Sequence, residues 1–459
     1  MTVLAINWGN AWMQVFYLIL SLSILVVLHE FGHYITAKWF GCRVEKFYLF
    51  FNPWFSLVKK KVGETEYGIG WLPLGGYVKI AGMIDESMDK EALKEPPKAY
   101  EFRSKPAWQR LIIMLGGIIV NVLLAFIIYA MVLFVWGEKK VPVSSLQYGV
   151  WVQDSVLYEL NLRNGDNIVA VDNKPVEYFE DVPAKILLGK SITISRNGQQ
   201  RTIEMPENFL ERLIESKKKN GMLLMQRLPA LVGEYDKNDS SNGKKAGLQF
   251  MDKITAIDSI PVQYYDDMTA ILANKKNTNV SLTIERRGDT VTQAAAVNAD
   301  GKIGIPLLSM NQYDSLGVFK QEVKKYGFFE AIPAGIGMAL DKLKFYIDQF
   351  RLILNPKTGA YKGLGGFKAI GSIFPTQWGE WESFWRLTGF LSIILAFMNL
   401  LPIPALDGGH VVFTLVEMVT GRKPSDKFLE YAQIVGMVLL LGLMLFANFN
   451  DWFGYGRGR

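Results

Sequence analysis

The 459-residue chain predicts a multi-pass α-helical membrane protein, with four transmembrane helices and two small β-rich domains inserted between spans two and three. Three observations carry that prediction. Apolar runs almost free of charge recur at Met13–Leu28, Leu111–Trp136, Phe384–Leu401 and Ile434–Phe449, each suited to crossing a bilayer with its flanking turns. Basic residues gather at particular ends of those runs: Lys38, Arg43 and Lys46 after the first, Arg422, Lys423 and Lys427 between the last two. Between Gly137 and about Pro306 the apolar runs shorten to strand length, charges return, and one segment occurs twice.

Composition agrees. Half the residues are hydrophobic and mean hydropathy is +0.13, high for a soluble protein, while the 20% charged residues are unevenly spread. The net charge of +6 has its source beside the spans, and no basic-aromatic motif accompanies it, so nucleic acid is not an expected partner. The single cysteine, Cys42, excludes an intrachain disulfide and reads as a small apolar residue. No Lys or Arg precedes the first apolar run, so a cleaved signal peptide is not expected.

In chain order, the first span (residues 1–40) runs into Val26-Val-Leu-His29-Glu30-Phe-Gly-His33. Residues four apart share a helix face, so His29 and His33 can reach one ion. Glu30 beside them is placed to act as general base on an attacking water, the arrangement of a zinc hydrolase. The positive-inside rule puts the N-terminus outside and the His29 end on the cytoplasmic side. A cytoplasmic connection, 41–106, follows. Within it Gly63–Ile80 (GETEYGIGWLPLGGYVKI) reads as a membrane-associated hairpin or looped sheet, and Asp85–Pro97 as a solvated loop. The second span (107–136) carries Gly116-Gly117 and Asn121, a polar group needing a partner, and close helix packing is the favoured reading.

The repeat pairs Leu162–Val176 (LRNGDNIVAVDNKPV) with Leu248–Val262 (LQFMDKITAIDSIPV), Asp166 and Asp252 lying 86 positions apart. A β-rich run follows each, Ser191–Ile203 and Val280–Val291, which argues for two similar domains, 137–228 and 229–310, rather than a solenoid. Both resemble PDZ domains, which take extended peptides by strand addition. The second copy has Met251 where a glycine is expected, and Glu207–Asn220 is an atypical insertion, so steric gating stands beside peptide binding. Phe319–Leu354 has the period of an amphipathic helix, and Gly359–Gly371 reads as a glycine-rich loop without a phosphate-loop signature, both within 311–382. The third span (383–410) leads through Asn399-Leu-Leu-Pro402-Ile-Pro404-Ala-Leu-Asp407-Gly408-Gly409-His410, and the fourth lies in 411–459. Four crossings put His33 and Asp407 at one leaflet.

A zinc hydrolase needs three protein ligands and an open position. An aspartate in a membrane segment costs about 2.5–3.5 kcal/mol on insertion scales, and a bound cation gives Asp407 a reason to be there. Asp407 is therefore the assigned third ligand. His410, one turn later, competes for that place or lies behind it, and Asn399 and Asn121 are weaker polar candidates. Alternatively, Asp407 caps a helix.

His-Glu-Phe-Gly-His in a first span, Pro73-Leu-Gly75-Gly76-Tyr77-Val-Lys79, PDZ-like domains and Asn-x-x-Pro-x-Pro-x-Leu-Asp-Gly-Gly-His together resemble the site-2 protease family of intramembrane zinc metalloproteases, over nearly the whole chain. The resemblance implies one Zn2+ per chain held by His29, His33 and Asp407, with Glu30 as acid-base. It implies that Asn399 and the Gly75, Gly76, Tyr77 segment hold substrate as an extended strand. It also implies substrates that are single-pass membrane proteins, such as anti-sigma factors and signal-peptide remnants, cut in the bacterial inner membrane after an earlier trimming, with termini and PDZ-like domains periplasmic. The family's Gly-Pro segment before the third span is matched here by Leu364-Gly-Gly-Phe367, without the proline. Two other readings compete: a proteolytically inactive PDZ scaffold, and a membrane-anchored zincin with its third ligand in a soluble domain.

Overall fold

A computed structural model describes residues 8–73, 75–83, 96–216 and 222–454. Among the described residues, four helices are long and apolar enough to cross a membrane: Ala11–Trp39, Ala107–Trp136, Trp381–Leu400 and Lys427–Phe453. With several small β-sheets beside them, the chain is a membrane protein with β-rich domains. It divides into two compact units. One runs to Gly137 and resumes over Lys325–Arg351 and from Lys362; the other holds Glu138–Lys324 and Leu352–Tyr361.

In the first unit the spans are helical because only an internally bonded backbone is tolerated in lipid. Their contacts combine small residues with polar cross-links. A Cβ on Gly32 would collide with the carbonyl of Gly116, so the first and second spans touch backbone to backbone. Thr388 Oγ1 donates to Ser21 Oγ at 3.0 Å and Ser392 Oγ to the Asn121 carbonyl at 2.8 Å, tying the third span to both. Each such bond contributes about 0.6 kcal/mol in a membrane.

Between the first two spans lies a four-stranded sheet of β1 (Val44–Leu49), β2 (Phe51–Val62), β3 (Thr65–Leu72) and β4 (Tyr77–Ile80), in the order β2-β3-β1-β4. The β2–β3 hairpin turns at Gly63-Glu64, where Gly63 adopts φ 61, suited to a two-residue loop. The sequence expectation covered Gly63–Ile80 alone. The sheet also recruits residues 44–62, and β1 pairs with β3 in parallel, Phe47 opposite Tyr67. No local turn signals a parallel pair, since the two strands are not joined directly. β4 pairs antiparallel with β1 and stands at the edge. Of the expected loop Asp85–Pro97, residues 85–95 lie outside the described residues.

Three expectations need correction. Phe319–Leu354 is helical only over Phe328–Leu354; Phe319 is buried in a core of the second unit and Glu322–Lys324 pairs with Glu138–Lys140 as a strand. The glycine-rich stretch is not a plain loop: it contains the 3-10 turn Ala360–Gly363 and the short helix Phe367–Ser372, whose Lys368 and Ala369 amides donate to Asp451 Oδ2 of the fourth span. The third span does not run on to His410. It stops at Leu400, before Pro402 and Pro404, and a separate helix, Asp407–Thr420, starts after them.

The second unit holds two cores. Around one lies a sheet ordered Gln199–Glu204, Ser191–Arg196, Asn167–Val171, Lys174–Pro175. Around the other, Asp289–Ala296, Asn279–Arg286, Lys253–Ile257 and Ile260–Pro261 lie in the same order. The likeness extends to a register shift between Ile168 and Ala170 that recurs between Ile254 and Ala256. The repeated aspartates do the same work in each copy. Asp166 takes both arms of Arg196, at 2.6 and 2.7 Å, and the amide of Arg163. Asp252 takes Arg286, at 2.8 and 2.6 Å, and the amide of Gln249. Of the expected insertion Glu207–Asn220, Phe209–Glu215 is a helix, and 217–220 lie outside the described residues.

Candidate metal centre and active site

His29 and His33 occupy adjacent turns of the first span and are 8% and 7% exposed. Their Nε2 atoms stand 3.3 Å apart, and Asp407 Oδ2 lies 3.2 Å from each. Nearly equal edges of this length match three corners of a tetrahedron with bonds of about 2.0–2.1 Å to its centre. Among the described residues this is the one group of histidine, cysteine or carboxylate atoms close enough to share an ion.

The donor set fits a cation. His33 Nδ1 lies 2.9 Å from the Ile113 carbonyl, so that nitrogen carries the proton and Nε2 presents a lone pair. His29 Nδ1 lies 3.0 Å from the Asn121 amide. If His29 Nε2 is to bind an ion, its Nδ1 is protonated and the amide must offer oxygen. Asn121 Oδ1, buried without a hydrogen bond, takes that place when the amide is rotated; this orientation is assigned from the network. Asp407 Oδ2 is also buried without a hydrogen bond. With Nδ1 protonated on both imidazoles, three lone pairs face one another within 3.3 Å, an arrangement that a cation among them would neutralise.

Local sequence explains the convergence. A Cβ at Gly117 would fall 2.5 Å from His33 Nε2 and 2.6 Å from His29 Cε1, so the second span can pass behind the imidazoles only with glycine there. Pro402 and Pro404 end the third span, and Ala405 turns left-handed at φ 82 before Asp407 opens the next helix. Asp407 is the first residue of that helix, and the preceding position, Leu406, makes no side-chain cap. The capping alternative therefore has no hydrogen bond to support it.

Glu30 lies within electrostatic range of His29, His33 and Asp407 and close to the Val78 amide of β4. Gly76, just before that strand, would carry its Cβ 3.4 Å from Glu30 Cγ. Asn399 Nδ2 is 3.4 Å from His29 Nε2. Tyr77 turns elsewhere, stacking on Tyr48 and donating to Asn52, and Gly75 faces the Phe51 ring. His410 lines a separate cavity with Arg110 and Glu417 and is outside the triangle. The Asn121 contact exceeds the packing role read from sequence. The signal was a lone amide in an apolar span, but its partner lies 92 positions away.

The sequence matches peptidase family M50 over residues 17–443. It is 26% identical to the regulator of sigma-E protease RseP of Escherichia coli K12, covering 95% of this chain and 97% of that protein. It is equally identical to the regulator of sigma E protease of Haemophilus influenzae, with the same coverage. A Xylella fastidiosa protein provisionally named a zinc metalloprotease is 27% identical over 97% of this chain and all of its own length. A buried two-histidine, one-carboxylate triangle among apolar helices and a family match over nearly the whole chain lead to one conclusion: this protein belongs to peptidase family M50 and is a zinc-dependent intramembrane metalloprotease of the site-2 type.

Proposed function

We propose that His29, His33 and Asp407 hold the zinc ion, that Glu30 is the proton carrier, and that the substrate is a transmembrane segment cut in regulated intramembrane proteolysis. The observation that carries this reading is the triangle of lone pairs at 3.2–3.3 Å with Glu30 beside it. Zinc, when bound, supplies Lewis acidity that brings water's pKa to about 7. Glu30 takes the proton from the attacking water and delivers it to the leaving amine. The Val78 amide lies close enough to orient the Glu30 carboxylate for both transfers.

A helical substrate hides its carbonyls in its own hydrogen bonds, so it must be unwound before it is cut. β4, at the sheet edge and beside Glu30, offers a template for an added strand. Gly76 admits its close approach and Asn399 orients the backbone beside His29. Asn121 sets the tautomer of His29.

The proposed substrate class is anti-sigma factors and signal-peptide remnants; the names of two relatives, regulators of sigma-E, support a place in sigma-E regulation. The proposed setting is the bacterial inner membrane, with termini and soluble domains periplasmic and the site near the cytoplasmic face; Lys38, Arg43, Lys46, Arg422, Lys423 and Lys427 support this by the positive-inside rule. The matching sheets of the second unit support a PDZ-like pair at 137–228 and 229–310 that admits substrates already trimmed. Glu30→Gln should retain one zinc per chain and lose cleavage of a membrane-spanning reporter by 100-fold or more. Membrane proteomics of that variant should show trimmed single-pass proteins accumulating. Full cleavage by Glu30→Gln would refute the assignment of the base.

A further inference from the structure

At the start of the second span a cavity of about 50 Å3 opens between that helix, the Asp407–Thr420 helix and the start of the fourth span. Among the described residues, Arg103, Arg110 and Lys423 line it against a single carboxylate, Glu417. Arg110 is 8% exposed; its Nη2 lies 2.5 Å from Glu417 Oε1 and its Nε bonds the Lys105 carbonyl. Arg103 pairs with Glu101, which is not part of the lining. Lys423 has no carboxylate partner among the described residues. The cavity therefore holds more positive than negative charge, and two helix N-termini add to it, those of Ala107–Trp136 and Asp426–Phe453. Its volume accommodates a few water-sized groups, about a phosphate.

The surroundings identify the source of that phosphate. Trp39 and Trp108, 73% and 49% exposed at the adjoining ends of the first two spans, mark the headgroup level of a bilayer. Beside the cavity, Leu415, Val419 and Phe428 are exposed apolar side chains, with Val419 at 87%. Phe413 in the lining packs edge-to-face on Phe428, so charge inside is continuous with an apolar surface outside. Basic pockets between spans suit anionic lipids. We propose that this cavity binds the phosphate of an anionic phospholipid whose acyl chains run along Leu415, Val419 and Phe428. The lipid ties the helix that begins at Asp407 to the second and fourth spans.

The test uses the full-length, zinc-loaded protein, delipidated in neutral detergent. It is titrated with short-chain phosphatidylglycerol, short-chain phosphatidylcholine or inorganic phosphate, with binding read by native mass spectrometry and thermal shift. Phosphatidylglycerol should bind one site at least tenfold tighter than phosphatidylcholine, whose choline cation the arginines repel. Lys423→Gln should weaken phosphatidylglycerol about fivefold, and adding Arg103→Gln about fivefold more, with phosphatidylcholine unchanged. Equal binding of the two lipids, or unaltered phosphatidylglycerol affinity in Lys423→Gln, overturns the proposal. Inorganic phosphate binding as tightly as phosphatidylglycerol would instead identify a soluble anion and overturn the lipid. Should the Arg103 variant fail to fold, Lys423→Gln, on an exposed loop, carries the test.

Discussion

Two kinds of buried aspartate occur in this protein. In each repeat of the second unit, Asp166 or Asp252 is 1% exposed and fully answered by its own domain, with a two-armed arginine and a backbone amide. In the membrane unit, Asp407 Oδ2 is buried facing two histidine lone pairs and has no hydrogen bond. The first kind holds a loop onto a strand. The second leaves electrostatic demand that a bound metal cation would meet. Burial of an acid is therefore not in itself a sign of function; the sign is burial with its partners withheld.

Four experiments would break or sharpen that contrast. Asp407→Ala should have the largest effect, removing stoichiometric zinc by elemental analysis and cleavage with it, while the chain still folds. Asp166→Ala should do the reverse, leaving zinc content intact and lowering the thermal stability of its domain by about 3 kcal/mol. That is the low end for a broken buried pair, because Arg196 still reaches solvent at 21% exposure. Asn121→Ala should weaken zinc about 10–100-fold in a competitive chelator titration, as loss of a ligand-orienting group does. Asn121→Asp should restore most of it, since a carboxylate also accepts from His29 Nδ1. Smallest of all, Asp407→Asn in the metal-stripped protein should change stability by less than about 1 kcal/mol by thermal melt, whereas Asp166→Asn should cost clearly more.

Much of this was readable in the chain. The four spans follow from apolar runs, and the repeat from a motif recurring at 86 positions. His29, Glu30 and His33 could be grouped because helical periodicity is local, and Asp407 because a carboxylate amid prolines and membrane residues is costly. Other features were hidden. The parallel β1–β3 pair, Asn121 behind His29 and Ser392 on the Asn121 carbonyl join residues whose spacing obeys no period. The amphipathic helix began later than its pattern suggested because Phe319 and Glu322–Lys324 were claimed by the second unit.

The division has a physical cause. Hydrophobic periodicity, proline stops and charge at span ends act over a few residues, so residue order alone established which segments are helices, which end carries the chemistry and which domain is duplicated. Closing a triangle of 3.2–3.3 Å across a first span and a helix that starts 374 positions after His33 requires Gly117 to yield space, Ala405 to reverse the backbone and β4 to approach Glu30. Those are agreements among distant surfaces, and they exist only once the helices have packed.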